Sequence, residues 1–195
     1  TTNLWYNEAF FEADARLDYK FVLNGTTWIT DPLNPNYCIG GYGPNSELAM
    51  PEYVQPWEIE ENPGIEHGTI ESFIIDSENT SSSFGVKVYL PPNYDPNRVN
   101  PYPVAYFQDG YEYISLGSAD NILDNLIDAN LMDPVIGVFV RPNNRNEEYA
   151  GNMRDAYRLF FVQELVPYVD DQYRTMRHAW GRAVIGPSLG GNISA

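Results

Sequence analysis

The sequence predicts an α/β fold, a parallel-type sheet with flanking helices, preceded by part of an all-β module. Three observations carry this reading. Short, nearly unbroken apolar runs at 103–107, 134–140 and 182–185 have the length and composition of strands buried on both faces. Apolar residues at helical spacing occupy the stretches between those runs, giving the strand and helix alternation of a covered parallel sheet. Near the N-terminus the pattern changes to two-residue alternation around a turn signal, and an acidic, proline-containing stretch separates the two regions. The chain therefore divides into an all-β part over 1–50, a linker over 51–67 and an α/β part over 68–195.

In the first part, Leu17, Tyr19, Phe21 and Leu23 alternate with Asp18, Lys20 and Val22, which predicts one half-buried strand over 16–23. Asn24-Gly25 tolerates positive φ at both positions and predicts a hairpin, with 26–30 as the returning strand. Asp31-Pro32, Asn34-Pro35 and the glycine-rich stretch 40–45 predict long ordered turns. Over 51–67, Pro51, Pro56 and Pro63 stiffen a segment that Glu52, Glu58, Glu60, Glu61 and Glu66 extend by repulsion. In the last part, 68–76 and 84–90 read as a strand pair, the second with Phe84, Val86, Val88 and Leu90 on one face. Ser118 is the expected N-cap of a helix reaching Ala129, with Ile122, Leu123, Leu126 and Ile127 as its apolar stripe. Met153, Tyr157, Phe161, Leu165 and Val169 recur every four residues and predict a longer helix that Pro167 kinks near its end.

Composition bounds the function. With 43% apolar and 14% aromatic residues over 195 positions, the chain can bury a real core and is not disordered. Its 11 basic against 27 acidic residues give a net charge of −16, which repels phosphate backbones and anionic lipid surfaces and argues against a nucleic-acid partner. The longest apolar run falls far short of the ~20 residues of a membrane helix, so no membrane span is expected. A single cysteine, Cys38, and two histidines argue against a disulfide framework and a structural metal site. The chain does not begin with Met and opens on no basic-then-apolar signal segment. A periplasmic or secreted bacterial location is favoured over a cytoplasmic one, and the sequence specifies no oligomeric state.

The chemistry concentrates in Arg182-Ala183-Val184-Ile185-Gly186-Pro187-Ser188-Leu189-Gly190-Gly191, a buried strand running into Gly-x-Ser-x-Gly. A serine nucleophile needs its Oγ thrust out of the sheet on a tight strand-to-helix turn, and Gly186 and Gly190 leave room for that turn to pack. Ser188 stands at the apex, and the Leu189 N–H, at the start of a helix, is placed to meet a developing oxyanion. A glycine-rich turn without chemistry is the competing reading. A second oxyanion donor is expected from the loop ending the 103–107 strand, with the Tyr111 N–H as candidate, whereas Asp109-Gly110 in isolation reads as an ordinary turn. Arg141, Arg145 and Glu148 follow the strand ending at Val140, on the edge where α/β sites open. With Asp109 they are candidate substrate contacts, a structural salt bridge being the alternative. No base accompanies the serine. His178 precedes the strand that Ser188 follows, roughly 16 Å or more away at ~3.3 Å per residue, and His67 at the linker boundary has the expected role of a solvated polar residue.

Gln163-Glu164-Leu165-Val166-Pro167-Tyr168-Val169, Tyr173-Arg174-Thr175 and the 182–191 segment resemble the esterase family that includes enterochelin esterases, feruloyl esterases and esterase D. Val86-Lys87-Val88-Tyr89-Leu90-Pro91-Pro92-Asn93-Tyr94, Tyr102-Pro103-Val104-Ala105-Tyr106-Phe107-Gln108-Asp109-Gly110 and Arg145-Asn146-Glu147-Glu148-Tyr149 fit the same pattern, so the likeness covers about 68–195. Residues 15–50, with Tyr19-Lys20-Phe21-Val22-Leu23-Asn24-Gly25, Trp28 and Asp31-Pro32-Leu33-Asn34-Pro35, resemble the end of the early-set immunoglobulin-like domain of enterochelin esterase-like proteins, itself similar to glycogen-binding modules. The resemblance implies a serine carboxylic ester hydrolase of α/β-hydrolase fold, with Ser188 as nucleophile and the Leu189 and Tyr111 amides as oxyanion hole. It implies no cofactor and a small-molecule or glycan-linked ester as substrate, such as a siderophore trilactone or an aromatic acyl ester of plant polysaccharide.

In that fold the triad runs Ser, acid, His, so the acid and histidine are expected beyond residue 195. The chain reads as an internal fragment, its last part the N-terminal half of a hydrolase and inactive by itself. Two alternatives remain: an acyltransferase of the same fold, like the mycolyltransferases, and a non-catalytic glycan-binding protein using Trp28 and Tyr42 as stacking platforms.

Overall fold

The structure, a computed structural model, describes residues 6 and 8–195. Residues 1–5 and 7, with which the expected all-β part begins, lie outside the described residues. Two compact units divide after Pro56.

The first unit is all β. Strands β1 (Arg16–Tyr19), β5 (Gly43–Ala49) and β4 (Tyr37–Gly40) form an antiparallel sheet in the order β1-β5-β4, and β2 (Phe21–Leu23) pairs with β3 (Thr27–Ile29). The Asn24-Gly25 turn forms as the sequence predicts, with φ of 51° and 76°. Two expectations change. The single strand over 16–23 is divided at Lys20, β1 pairing with β5 and β2 with β3. The stretch expected only as turns contains a second hairpin, β4 and β5, in which Pro44 falls where β5 has a neighbour on one side only. A residue without an N–H is tolerated there because no second ladder claims the bond. The intervening loop is stitched by side chains. Asp31 accepts from Tyr19 Oη and the Leu33 N–H at 2.8 Å each, and Asn34 Nδ2 donates to the Glu47 carbonyl at 2.7 Å. Trp28 is 67% and Tyr42 94% exposed.

The second unit is a five-stranded mixed sheet whose central strands are covered on both faces. The strand Arg182–Ile185, expected to be buried, is instead an edge strand with a neighbour on one side only among the described residues and is largely exposed, Val184 and Ile185 at 37% each. In chain order it contains β6 (Thr69–Ser77), β7 (Ser82–Leu90), β8 (Val104–Phe107), α1 (Gly110–Ser115), α2 (Ala119–Asp128), β9 (Ile136–Val140), α3 (Arg145–Tyr149), α4 (Arg154–Leu159), α5 (Val166–Gln172), β10 (Arg182–Ile185) and α6 (Leu189–Ser194). The sheet order is β10-β8-β9-β7-β6. β10, β8 and β9 are parallel, and the expected pair β6 and β7 adds on antiparallel. One sheet face carries Phe84, Val86, Val88, Val104, Tyr106, Val138 and Val140, packed against Tyr157, Phe160, Leu165 and Val169. The opposite face carries Tyr89, Phe107 and Phe139 against Ala119 and Leu123 of α2. Burial on both sides is why β8 and β9 read as unbroken apolar runs rather than alternating ones.

The four-residue stripe from Met153 forms α4 and α5 joined by a π-helical turn at Phe160–Leu165. Pro167 lacks the N–H for an interior helical bond, and the wide turn before it resets the ladder so that the proline occupies the first turn of α5, where no such bond is owed. Ser118 does begin α2, but in left-handed conformation (φ 50°) and without a side-chain cap bond.

The acidic segment expected as a stiff, extended linker is partly docked. Asn125 Nδ2 donates to the Glu58 and Glu60 carbonyls at 2.9 and 2.8 Å, and Asn121 Nδ2 to the Ile59 carbonyl at 3.0 Å, so α2 clasps the 3-10 turn Trp57–Ile59. Buried Asp124 completes the clasp, accepting from Tyr89 Oη at 2.6 Å and the Gly68 N–H at 2.8 Å, with His67 Nδ1 at 2.9 Å. His67 is exposed, as expected of a solvated polar residue, and in addition has a carboxylate partner in Asp124.

The hydrogen bond to Asp124 raises the His67 pKa above its ordinary value, against a smaller opposing effect of burial. A raised folded-state pKa means that the contact adds stability below the unfolded histidine pKa of about 6.5 and loses it as pH climbs through the raised value. His67→Gln is accordingly expected to lower unfolding free energy more at about pH 5.5 than at about pH 8.5. Urea titrations at the two pH values measure this, and equal deficits would refute it.

Candidate active site

Because β10 lies beside β8 in parallel, the loops leaving their carboxyl ends are neighbours, at the edge of the sheet where α/β folds place their sites. The Gln108 N–H donates to the Ile185 carbonyl at 2.8 Å and carries the pairing one residue past β8. Beyond β10 the chain turns at once into α6, with Ser188 between them at φ 53°, ψ −117°. A non-glycine residue held there is strained by about 1–3 kcal/mol and persists only where the surroundings over-determine it.

Those surroundings are glycines. A Cβ on Gly186 would stand 2.4 Å from the Gly190 carbonyl carbon, and one on Gly190 would meet Asp109 Oδ2 at 2.9 Å. Gly186→Ala forces two backbone segments apart and is expected to cost about 3 kcal/mol or more. A denaturation midpoint near that of wild type would show the turn to be looser than this packing requires. The Leu189 N–H opens α6, in the first turn, where a helix has no internal acceptor for it.

The loop after β8 is built as tightly. Asp109 is left-handed (φ 58°) and 4% exposed, and Gly110 opens α1 where a Cβ would stand 2.4 Å from the backbone of Phe139. The dipeptide is thus a packed helix start rather than an ordinary turn. Tyr111 follows in the first turn of α1, its N–H also without an acceptor inside the helix. Arg145 Nε and Nη2 donate to the two Asp109 carboxylate oxygens at 2.8 and 2.9 Å, and Nη2 also reaches the Pro187 carbonyl at 3.1 Å. One guanidinium therefore joins the β8 loop, α3 and the serine turn.

The four expected substrate contacts separate on this evidence. Arg141 is exposed, Asp109 and Arg145 are spent on each other, and Glu148 is 1% exposed. Glu148 is thus corrected from a substrate contact to an internal acceptor, taking the Asn143 N–H at 3.0 Å. Burial pushes its carboxyl pKa up, against backbone N–H bonds from Asn144 and Asn143. Three supporting residues escaped the sequence reading. Tyr149 Oη accepts the Asp109 N–H at 3.0 Å, and Tyr157 Oη donates to buried Gln108 Oε1 at 2.5 Å. The available signal was a pair of tyrosines in apolar helix positions, since a buried phenol needs a polar partner.

Neither histidine joins this site. His67 is held by Asp124, and His178 precedes the 3-10 turn Ala179–Gly181, across the length of β10 from Ser188. Among the described residues no group of three or more His, Cys, Asp or Glu is placed to hold a metal ion, and no helix is long and apolar enough to cross a membrane.

Residues 77–194 match the family model described as "Putative esterase". The chain belongs to that family. It is 34% identical over 133 residues to the Bacillus subtilis (strain 168) protein named YjcH, covering 66% of this chain and 55% of that one. It is 29% identical over 184 residues to an endo-1,4-beta-xylanase/feruloyl esterase of Xylanibacter ruminicola, covering 89% of this chain and 25% of that one. The enterobactin esterase of Shigella flexneri, solved in the presence of enterobactin, superposes with a TM-score of 0.73 at 24% identity, over 93% of this chain and 52% of that one. The chain thus spans about half the length of the first of these relatives and a quarter of the second. Its mixed sheet with flanking helices is the α/β-hydrolase-like fold of this esterase family.

Proposed function

We propose that the protein is a serine carboxylic ester hydrolase that works through an acyl-enzyme on Ser188. The observation that carries this is the strained backbone of Ser188 at the strand-to-helix turn, held by Gly186 and Gly190 in a chain of the esterase family. Strain of this kind has a use when it presents a side chain outward from the sheet edge.

In the reaction Ser188 Oγ attacks the ester carbonyl carbon while a histidine takes the hydroxyl proton. The C=O electron pair moves onto oxygen, where the Leu189 and Tyr111 N–H groups receive the negative charge. Collapse breaks the bond to the alcohol oxygen, which leaves with the proton, and water then releases the acid from the acyl-enzyme by the same steps. The histidine and the acid that orients it belong, in this proposal, to the polypeptide beyond residue 195. Asp109, Arg145, Tyr149 and Gln108 act by fixing the two loops, not by touching the substrate. The names of the relatives support an aromatic acyl ester or a lactone of a hydroxyacyl compound as the substrate class, small or linked to a glycan, and a periplasmic or secreted setting suits such substrates.

The test is covalent. In the full-length polypeptide a fluorophosphonate is expected to label one serine, and peptide mapping should place the label on Ser188. A label on another serine, or none, overturns the proposal.

A further inference from the structure

The side chains of Lys87, Arg141 and Tyr111 form a cluster that the ester-cleaving machinery, which uses only the Tyr111 N–H, leaves without a task. Strand register assembles it. Lys87 lies opposite Phe139, and just past β9 the Arg141 N–H donates to the Gly85 carbonyl at 3.1 Å, so Gly85, Lys87, Phe139 and Arg141 share one face of the sheet. That face carries α1, whose Tyr113 and Ile114 pack beside Phe139. Gly85 admits the Tyr111 hydroxyl, since a Cβ there would stand 2.9 Å from its oxygen. Lys87 Nζ then lies 4.8 Å and Arg141 Cζ 5.9 Å from the centroid of the Tyr111 ring.

Charge makes the cluster unusual. The chain has 27 acidic residues for 11 basic ones, yet among the described residues neither Lys87 nor Arg141 has a carboxylate partner. Of the nearby acids, Asp109 is committed to Arg145 and Asp76 accepts from Ser83 Oγ at 2.6 Å, while Glu112, exposed in the first turn of α1, lines a hollow beside Arg141 without forming an ion pair with it. Tyr111, Arg141 and Pro142 form a wall common to two hollows of about 480 and 210 Å³, the smaller also lined by Asp109, Glu112 and Arg145, whose Nη2 donates to the Pro187 carbonyl of the serine turn. A cation resting on a ring keeps its N–H donors available, and on a surface this acidic a local excess of positive charge selects which anions approach.

We propose that Lys87 and Arg141, seated on Tyr111, bind an ionised carboxylate of the substrate, so that the preferred esters carry a second, free acid group. This rests on the ester-hydrolase reading of Ser188 for the reaction but not for the binding.

Monomethyl glutarate and dimethyl glutarate present the same chain with and without that charge. Binding to the Ser188→Ala protein is followed by NMR chemical-shift titration at low salt. The monoester is expected to bind about tenfold more tightly than the diester, as a close, partly shielded charge pair supports. Its advantage should shrink at about 0.5 M salt, where screening is strong. Lys87→Gln combined with Arg141→Gln should abolish the preference, and Lys87→Arg should retain it. Equal affinities, failure of both esters to bind, or a preference that survives the double substitution overturns the inference. Fluorophosphonate labelling of Ser188 reports separately. Labelling without charge preference removes the carboxylate site and leaves the esterase, whereas preference without labelling leaves the carboxylate site and removes the esterase.

Discussion

Ser188→Ala is expected to lower kcat for ester hydrolysis by the full-length polypeptide by about 10⁴-fold or more, with KM little changed. The alanine keeps Cβ and therefore the strained backbone at φ 53°, ψ −117°, so its stability should stay within about 0.5 kcal/mol of wild type. Ser188→Gly separates the two roles of the position. Without a Cβ the strain is relieved, and unfolding free energy is expected to rise by about 1–2 kcal/mol while turnover is lost to the same extent. A plain glycine-rich turn makes a different forecast, namely activity indifferent to both substitutions. Kinetics and denaturant titrations on the two variants decide between them, and wild-type turnover in either one removes Ser188 from the mechanism.

Much of this was legible in the sequence because the residues concerned answer to local rules. Gly186, Ser188 and Gly190 name a strand-to-helix turn through sterics alone, and the observed backbone has the strain those residue types allow. The core strands were legible for a similar reason, since a strand buried on both faces can contain little but apolar residues. The misses have a common cause in partners far along the chain. Nothing near Lys20 says that 16–19 and 21–23 part to different neighbours, because the partner of the first lies some 30 residues ahead in β5. The 57–67 segment looks like a charged linker until Asn121, Asn125 and Asp124 of α2 are seen to collect its backbone groups and His67. Pro167 suggested a kink, but the sequence does not reveal that a π-helical turn spreads the disturbance over Phe160–Leu165. Glu148 and Arg141 stand seven residues apart with similar loop signatures, and only packing turns one inward and the other out.

Arg145→Met is expected to destabilise the protein by about 3–5 kcal/mol, because it strands the Asp109 carboxylate in a nearly closed site. Asp109 is 4% exposed and both its oxygens take Arg145 donors at 2.8 and 2.9 Å, so removing the guanidinium leaves a nearly buried charge without its partner. The same substitution removes the donor to the Pro187 carbonyl, one residue before Ser188. Stability and catalysis can therefore be separated. Asp109→Leu combined with Arg145→Met removes both charges and should restore most of the lost stability, as apolar replacement of a buried ion pair commonly does. It restores no link between the β8 loop and the serine turn, so kcat should stay reduced, by about 10²-fold for a displacement on the order of 1 Å. Arg145→Lys keeps the charge but not the fork that serves two carboxylate oxygens and a carbonyl together, and should fall between wild type and Arg145→Met in both measurements. Recovery of kcat along with stability in the double variant would mean that Arg145 matters only for folding. Persistent loss of kcat in a well-folded double variant makes it the residue that holds the Ser188 turn in register with the Tyr111 amide.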